Sequence, residues 1–220
     1  QEQAALLHAA NALIKASGPI SIQATGANPL PPAGGAPRWA VGKLADARFV
    51  NTGKGVLWRT VSVRGTPVTA PPATASGLSV GKRLLSMGGA AIDPATIRQG
   101  DRIIVLVSGR SMQERSVALV VDDALPAGFE IETTLGADDA QNGPFKFLGE
   151  LTAADVQESR DDRFIAALDL EGNKPFALAY VARAVTPGSF FLPGAVAKDM
   201  YRPAIVARSD ASRATIAPGP

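Results

Sequence analysis

The sequence predicts a mainly β fold: an antiparallel β-sandwich, preceded by a shorter β segment and one N-terminal helix. Three observations predict it. Short runs rich in β-branched and aromatic residues recur along most of the chain, separated by turns drawn from 22 glycines and 17 prolines. Only one well-developed stretch has helical periodicity. With 46% hydrophobic and 19% charged residues over 220 positions, the chain has enough apolar material for a packed core.

Residues 4 to 16 place Leu6, Leu7, Ala10, Leu13 and Ile14 on one stripe, and Ser17-Gly18-Pro19 stops that helix. A lone short helix needs a packing partner, and no later segment is helical enough to be one. Strands are expected at Ile20 to Gln23, Arg48 to Asn51, Val56 to Val63 and Leu78 to Leu85. The prolines and glycines of Asn28 to Pro37 predict a loop, and Gly53-Lys54-Gly55 a hairpin turn. Pro67 to Ser76, with Pro67, Pro71 and Pro72, predicts a linker.

Strands then follow at Arg102 to Val107, Ser116 to Val121, Phe129 to Thr133, Phe164 to Leu168, Phe176 to Val185 and Ala204 to Arg208. Gly109-Arg110-Ser111, Pro126-Ala127-Gly128 and Gly172-Asn173-Lys174-Pro175 are the expected turns. Pro94 to Gln99 and Thr152 to Gln157 are expected as short helical turns, and Ala217 to Pro220 as a frayed tail. Many short strands with regular turn signals make an antiparallel sandwich.

Composition narrows the function. The sequence has no cysteine, so no disulfide and no thiolate metal site is available. A net charge of +2 with scattered basic residues argues against nucleic acid. No apolar run reaches the ~18 residues of a membrane-spanning helix, and the first residues do not form a signal peptide. The chain starts at Gln1-Glu2-Gln3 without an initiator Met, which points to a fragment or a processed piece.

No catalytic constellation, cofactor or metal site is expected. His8 is the only histidine and lies opposite the helix's apolar stripe, as a solvent-facing residue. No nucleophile elbow, Walker loop or dinucleotide fingerprint occurs. Three acidic pairs, Asp122-Asp123, Asp138-Asp139 and Asp161-Asp162, suit turn capping and ion pairing better than calcium, which needs 6–8 oxygens from several segments. Arg160-Asp161-Asp162-Arg163 in particular brackets its carboxylates with guanidinium groups. Trp39, Trp58, Phe145 and Phe147 are expected in the core or at an interface. On this reading the chain is not an enzyme.

Met200 and Tyr201 are the candidate site. Two large apolar residues stand inside Asp199-Met200-Tyr201-Arg202-Pro203, between extended runs, where a polar turn is the norm. Either both fold inward and close the end of the sandwich, or they form an exposed tip that meets a partner.

The segment FALAYVARAVTPGSFFLPGAVAKDMYRP resembles the end of the bacterial alpha-2-macroglobulins. The likeness continues upstream through GLSVGKRLLS, IRQGDRIIVLVS, VVDDALPAGFEIE and SRDDRFIAALDL, and is strongest after Gly77. The resemblance implies three parts: 1–17 as the last helix of a thioester-type helical domain, 18–72 as the second half of a CUB-like β domain, and 73–220 as a C-terminal macroglobulin-like sandwich of immunoglobulin-like architecture. It implies an endopeptidase inhibitor that traps proteases, in the periplasm, tethered to the inner membrane as a lipoprotein. Its partners would be the thioester-bearing helical domain of the same parent chain and the target proteases. Met200 and Tyr201 would belong to the loop that covers the thioester.

The absence of cysteine departs from the family pattern: the thioester lies before Gln1, or the parent belongs to a branch that lacks it. The alternative from another class is an independent envelope adhesion or binding sandwich, with calcium held by the acidic loops.

Overall fold

A computed structural model describes residues 6–12, 20–63 and 69–219. Leu13, Ile14, the Ser17-Gly18-Pro19 stop, Pro67 and Pro220 lie outside the described residues. Residues 6–12 are helical, with His8 exposed as expected and Leu6 and Leu7 equally exposed. The chain divides into two units, Gln1–Gly65 and Thr66–Pro220.

In the first unit β1 (Ile22–Thr25) will pair with a strand after an intervening hairpin of β2 (Asn28–Ala33) and β3 (Ala36–Ala40). That partner is β4 (Arg48–Asn51), antiparallel to β1. The expected loop at Asn28 to Pro37 is thus a hairpin, turned by Gly34 and Gly35 at φ of 59° and 76°. Its prolines are compatible with pairing because proline is excluded only from strands paired on both sides. In a two-stranded ribbon each strand has an open edge on which no N–H is required. Trp39 packs edge-to-face on Phe49 at 5.3 Å. The expected strand Val56 to Val63 has no partner among the described residues, so Gly53-Lys54-Gly55 turns no hairpin. Asn51 holds that turn, accepting from Gly53 N–H at 2.9 Å and donating to the Gly55 carbonyl at 2.7 Å. Trp58 is 93% exposed, not core.

The second unit begins with β5 (Thr74–Ser76), inside the expected linker, and β6 (Leu78–Ser86). Pro94–Thr96 forms a 3-10 turn capped by Asp93, whose Oδ1 accepts from Ala95 N–H at 2.9 Å; the rest of that expected turn is extended as β7 (Ile97–Arg98). Then come β8 (Arg102–Ser111), β9 (Val117–Ala124) and β10 (Phe129–Leu135). Gly109-Arg110-Ser111 is not a turn but the end of β8. A Cβ on Gly109 would run into the Ser79 carbonyl and the Phe176 ring, so the glycine marks close strand approach.

A short helix, Ala137–Gln141, follows, with the Gly136 N–H bonded to Asp139 Oδ2 at 2.8 Å. Thr152 to Gln157 is not helical. Its end forms β11 (Val156–Ser159), which pairs with β12 (Arg163–Leu170). The chain closes with β13 (Pro175–Ala184), β14 (Gly188–Leu192), β15 (Val196–Asp199), β16 (Val206–Arg208) and β17 (Ser212–Ala217).

A four-stranded sheet, β10-β13-β8-β6, faces a six-stranded sheet, β11-β12-β9-β15-β16-β5. A three-stranded sheet, β14-β17-β7, lies beside them. The antiparallel sandwich expected from sequence is therefore present. Its main core is built by strand alternation: Ile103, Val105 and Val107 of β8 and Leu178, Tyr180 and Ala182 of β13 meet Val117, Leu119 and Val121 of β9 and Phe164, Ala166 and Leu168 of β12. The alternate residues Ile104, Leu106, Ala179 and Val181 form a second core with Ala140, Leu148 and Leu151. The four-stranded sheet is thus covered on both faces.

One position in the main core is charged. Asp123 continues the inward series Val117, Leu119, Val121, and it is fully buried. Lys82 Nζ lies 2.7 Å from its Oδ1, and Tyr180 donates its hydroxyl to Oδ2 at 2.8 Å. Lys82 also donates to the Pro193 carbonyl at 3.1 Å. Tyr180 stacks on Phe164 at 4.9 Å. Burial pushes the Asp123 carboxyl above its ordinary pKa, with Lys82 and Tyr180 opposing the rise. Burial and the neighbouring Asp123 push Tyr180 well above its own.

Replacing Asp123 by Ala strands the Lys82 ammonium in the core and should cost about 3–5 kcal/mol in urea unfolding of the chain. The triple change Lys82→Met, Asp123→Leu, Tyr180→Phe, which leaves no buried charge unpaired, should recover most of that loss. Equal losses in both variants would contradict the ion-pair account.

Candidate functional site

Strand alternation also builds the tip. Along β15 and the residue before it, Ala195, Ala197 and Asp199 are buried, so Asp199 ends the strand pointing inward. Its side chain is only 1% exposed. Oδ1 accepts from the backbone N–H groups of Tyr201 and Arg202, each at 2.8 Å. Oδ2 accepts from Arg202 Nε at 2.9 Å and Nη2 at 2.6 Å. The same Nη2 donates to the Ser116 carbonyl at 2.9 Å, tying the loop to the start of β9. Met200 N–H donates to the Ala118 carbonyl at 2.8 Å, and Ile205 N–H to the Arg202 carbonyl at 2.9 Å.

The Asp199 carboxylate, the Arg202 guanidinium and the Met200, Tyr201 and Arg202 amides are thus all engaged within the domain, while the two large side chains point out. Met200 is 52% and Tyr201 79% exposed. The inward reading of the pair does not hold in this structure. Burial raises the Asp199 pKa, but the Arg202 guanidinium and the two N–H donors outweigh it, and the carboxyl sits below its ordinary range. Asp199 and Arg202 are residues that sequence reasoning passed over. The signal was there: an Asp two residues before an amide it can accept from is an Asx turn, and Arg three residues on can reach the same carboxylate.

The other candidates are not brought together. Asp122 and Asp123 are strand residues, not loop residues. Asp138 and Asp139 lie in the first turn of the short helix. Arg163 spans Asp162 at 2.8 Å and Asp122 at 3.2 Å, whereas Arg160 pairs with Glu158 at 3.0 Å rather than with either aspartate beside it. Among the described residues no group of three or more acidic or histidine side chains is placed to hold a metal ion. Phe145 and Phe147 contact edge-to-face at 6.2 Å beside the second core, with Phe147 packed over Gly89. A groove of about 450 Å³ runs between β5, β6 and β16, but the lysine lining it, Lys82, is committed to Asp123.

The structure defines an antiparallel β-sandwich that displays a preorganised apolar tip. The family model of the bacterial alpha-2-macroglobulin MG10 domain matches residues 77–204. The alpha-2-macroglobulin of Xylella fastidiosa strain Temecula1 is 39% identical over 166 residues, which is 72% of this chain and 10% of that protein. Among solved structures, a mutant Salmonella alpha-2-macroglobulin superposes with a TM-score of 0.72 at 25% identity, covering 92% of this chain and 13% of that one. Trypsin-activated alpha-2-macroglobulin from Escherichia coli gives 0.61 at 29% identity, covering 70% of this chain and 11% of that one. The chain belongs to the bacterial alpha-2-macroglobulin family, and it spans about a tenth of the length of the curated relative.

Asp199→Ala should destabilise the second unit by about 2 kcal/mol, from the loss of its charged hydrogen bonds, while hydrogen exchange at the Tyr201 and Arg202 amides accelerates. Because the folded carboxyl titrates below its ordinary 3.8, its stabilisation is complete above that value and is lost as pH falls through the lower folded pKa. Measured against the intrinsic rate at each pH, protection of those two amides should therefore fall in wild type as pH drops below 3.8 and stay constant in Asp199→Asn. A wild-type profile identical to that of Asp199→Asn would refute the clamp.

Proposed function

We propose that this chain is the C-terminal part of an envelope protease trap, and that Met200 and Tyr201 cover a thioester carried elsewhere in the parent protein. The observation that carries the reading is the tip itself: two large apolar side chains held out to solvent by a buried Asp-Arg clamp, in a member of this family. The structure of the Escherichia coli relative in a trypsin-activated form fits a protein that responds to proteases.

A thioester joins a Cys sulfur to the acyl carbon of a Gln-derived side chain. Water and amines attack that carbon, so the group survives only in a dry site. With no cysteine here, it must reside in the parent outside these residues. In the resting trap the tip seats on the helical domain that bears it. Cleavage of a bait segment moves that domain off the tip. A lysine amine of the protease then attacks the acyl carbon, an amide forms, and the Cys thiolate leaves. This chain contributes no step of that chemistry; it excludes water and small amines. Residues 1–17 supply the last helix of the thioester-type domain, and 18–72 the second half of a CUB-like domain. On this proposal the parent works in the periplasm, held at the inner membrane by a lipidated N-terminus.

Tyr201→Ala in the full-length parent should raise the rate of methylamine incorporation before any protease is added, by roughly tenfold for the loss of one mostly buried aromatic at the seal. Unchanged uptake would overturn the lid.

A further inference from the structure

Met112 is 55% exposed, comparable to Met200, and the fold places it at the same end of the sandwich. It opens the loop joining β8 of the four-stranded sheet to β9 of the six-stranded one. Both ends of that loop are tied to the tip. At one end Met112 N–H donates to the Gly77 carbonyl at 3.1 Å, and a Cβ on Gly77 would meet both the Gln113 side chain and Ile205, the residue that leads out of the tip. At the other end Arg202 bonds the Ser116 carbonyl.

The loop is as firmly set as the tip. Gln113 N–H donates to Ser111 Oγ at 3.1 Å, Asn173 N–H donates to the Gln113 carbonyl at 2.8 Å, and Gly172 packs directly on Glu114. An apolar side chain half bare on a backbone already held in place is available for contact without the cost of ordering that backbone.

We propose that Met112 is a third anchor of the docking face formed by Met200 and Tyr201, and that all three seat on the thioester-bearing domain of the parent. This rests on the lid reading. The choice of occupant follows from length: these residues are about a tenth of a relative's chain, so most surfaces able to cover this end belong to the same polypeptide. Two flexible thioethers beside one aromatic suit a face that must seal and then release. Glu114 and Arg115, both exposed, supply part of a polar rim.

Methionine oxidation by hydrogen peroxide reports burial directly, and it needs no thioester. In the full-length parent, Met112 and Met200 should both oxidise about ten times more slowly than N-acetylmethionine, as read by peptide mass spectrometry, and both should speed up after protease treatment. Met112→Glu, at a site exposed in this domain, should keep the wild-type far-ultraviolet circular dichroism spectrum while accelerating Met200 oxidation severalfold. Protection of Met200 without Met112, or a Met112→Glu variant in which Met200 stays protected, overturns the third anchor and leaves the lid standing. Fast oxidation of both before protease treatment sinks the lid as well.

Discussion

Every second residue of a core strand faces inward, and in this domain that period puts two carboxylates where apolar side chains would otherwise sit. β9 and β15 are neighbours in the six-stranded sheet, with Asp199 opposite Leu119. Asp123 falls in the middle of the sandwich and Asp199 at its end. A buried carboxylate must be matched, and the two are matched differently. Asp123 draws a lysine and a tyrosine from the facing sheet, and so ties β6, β9 and β13 into one register. Asp199 finds no facing side chain and instead gathers the following backbone and Arg202 around itself. The pairing of Asp123 sets how the sheets meet; the pairing of Asp199 sets what the end of the sandwich presents.

The sheet opposite β9 shows why parts of the fold were legible and others not. Ile103 to Val107 of β8 is an unbroken apolar run, buried throughout. Such a run marks a strand covered on both sides, yet it does not say what covers it. The cover is the stretch from the Ala137–Gln141 helix to Leu151, whose sequence shows neither a strand's alternation nor a helix's stripe. It became visible only through the residues it lays on the sheet. Strands with a strong β-branched signal, such as β8, β9 and β12, were legible from sequence. The short strands β5, β11, β15 and β17 were not, because register with a neighbour, rather than propensity, makes them strands.

The same distinction explains the first unit. Proline-rich Asn28 to Ala33 pairs because a ribbon asks little of its outer edges, while the β-rich Val56 to Val63 stays unpaired among the described residues. Propensity says that a segment can be a strand; a partner decides whether it is. Trp58 is the extreme case, its size predicting burial and its surroundings offering none. At the candidate site the sequence showed which residues are unusual, Met200 and Tyr201, but not why they stand out. That reason lies in Asp199: the Asx-turn spacing to Tyr201 and Arg202 is in the sequence, but the burial that makes it a clamp is not.

Magnitude decides whether such a tip suits a reversible cover. Full burial of a Met or Tyr side chain contributes about 1.5–3 kcal/mol, and only the part still exposed remains to be gained on docking. For Met200 and Tyr201 together that leaves roughly 2–4 kcal/mol, about a thirty- to thousandfold bias toward the docked state. A floppy loop would give back much of this in ordering its own backbone, at ~1–2 kcal/mol per residue fixed. The Asp199 clamp has already met that cost during folding, through hydrogen bonds that docking neither makes nor breaks. What remains is an apolar contact strong enough to hold the proposed cover in place. On that proposal it is also weak enough to yield when the docked domain is pulled away.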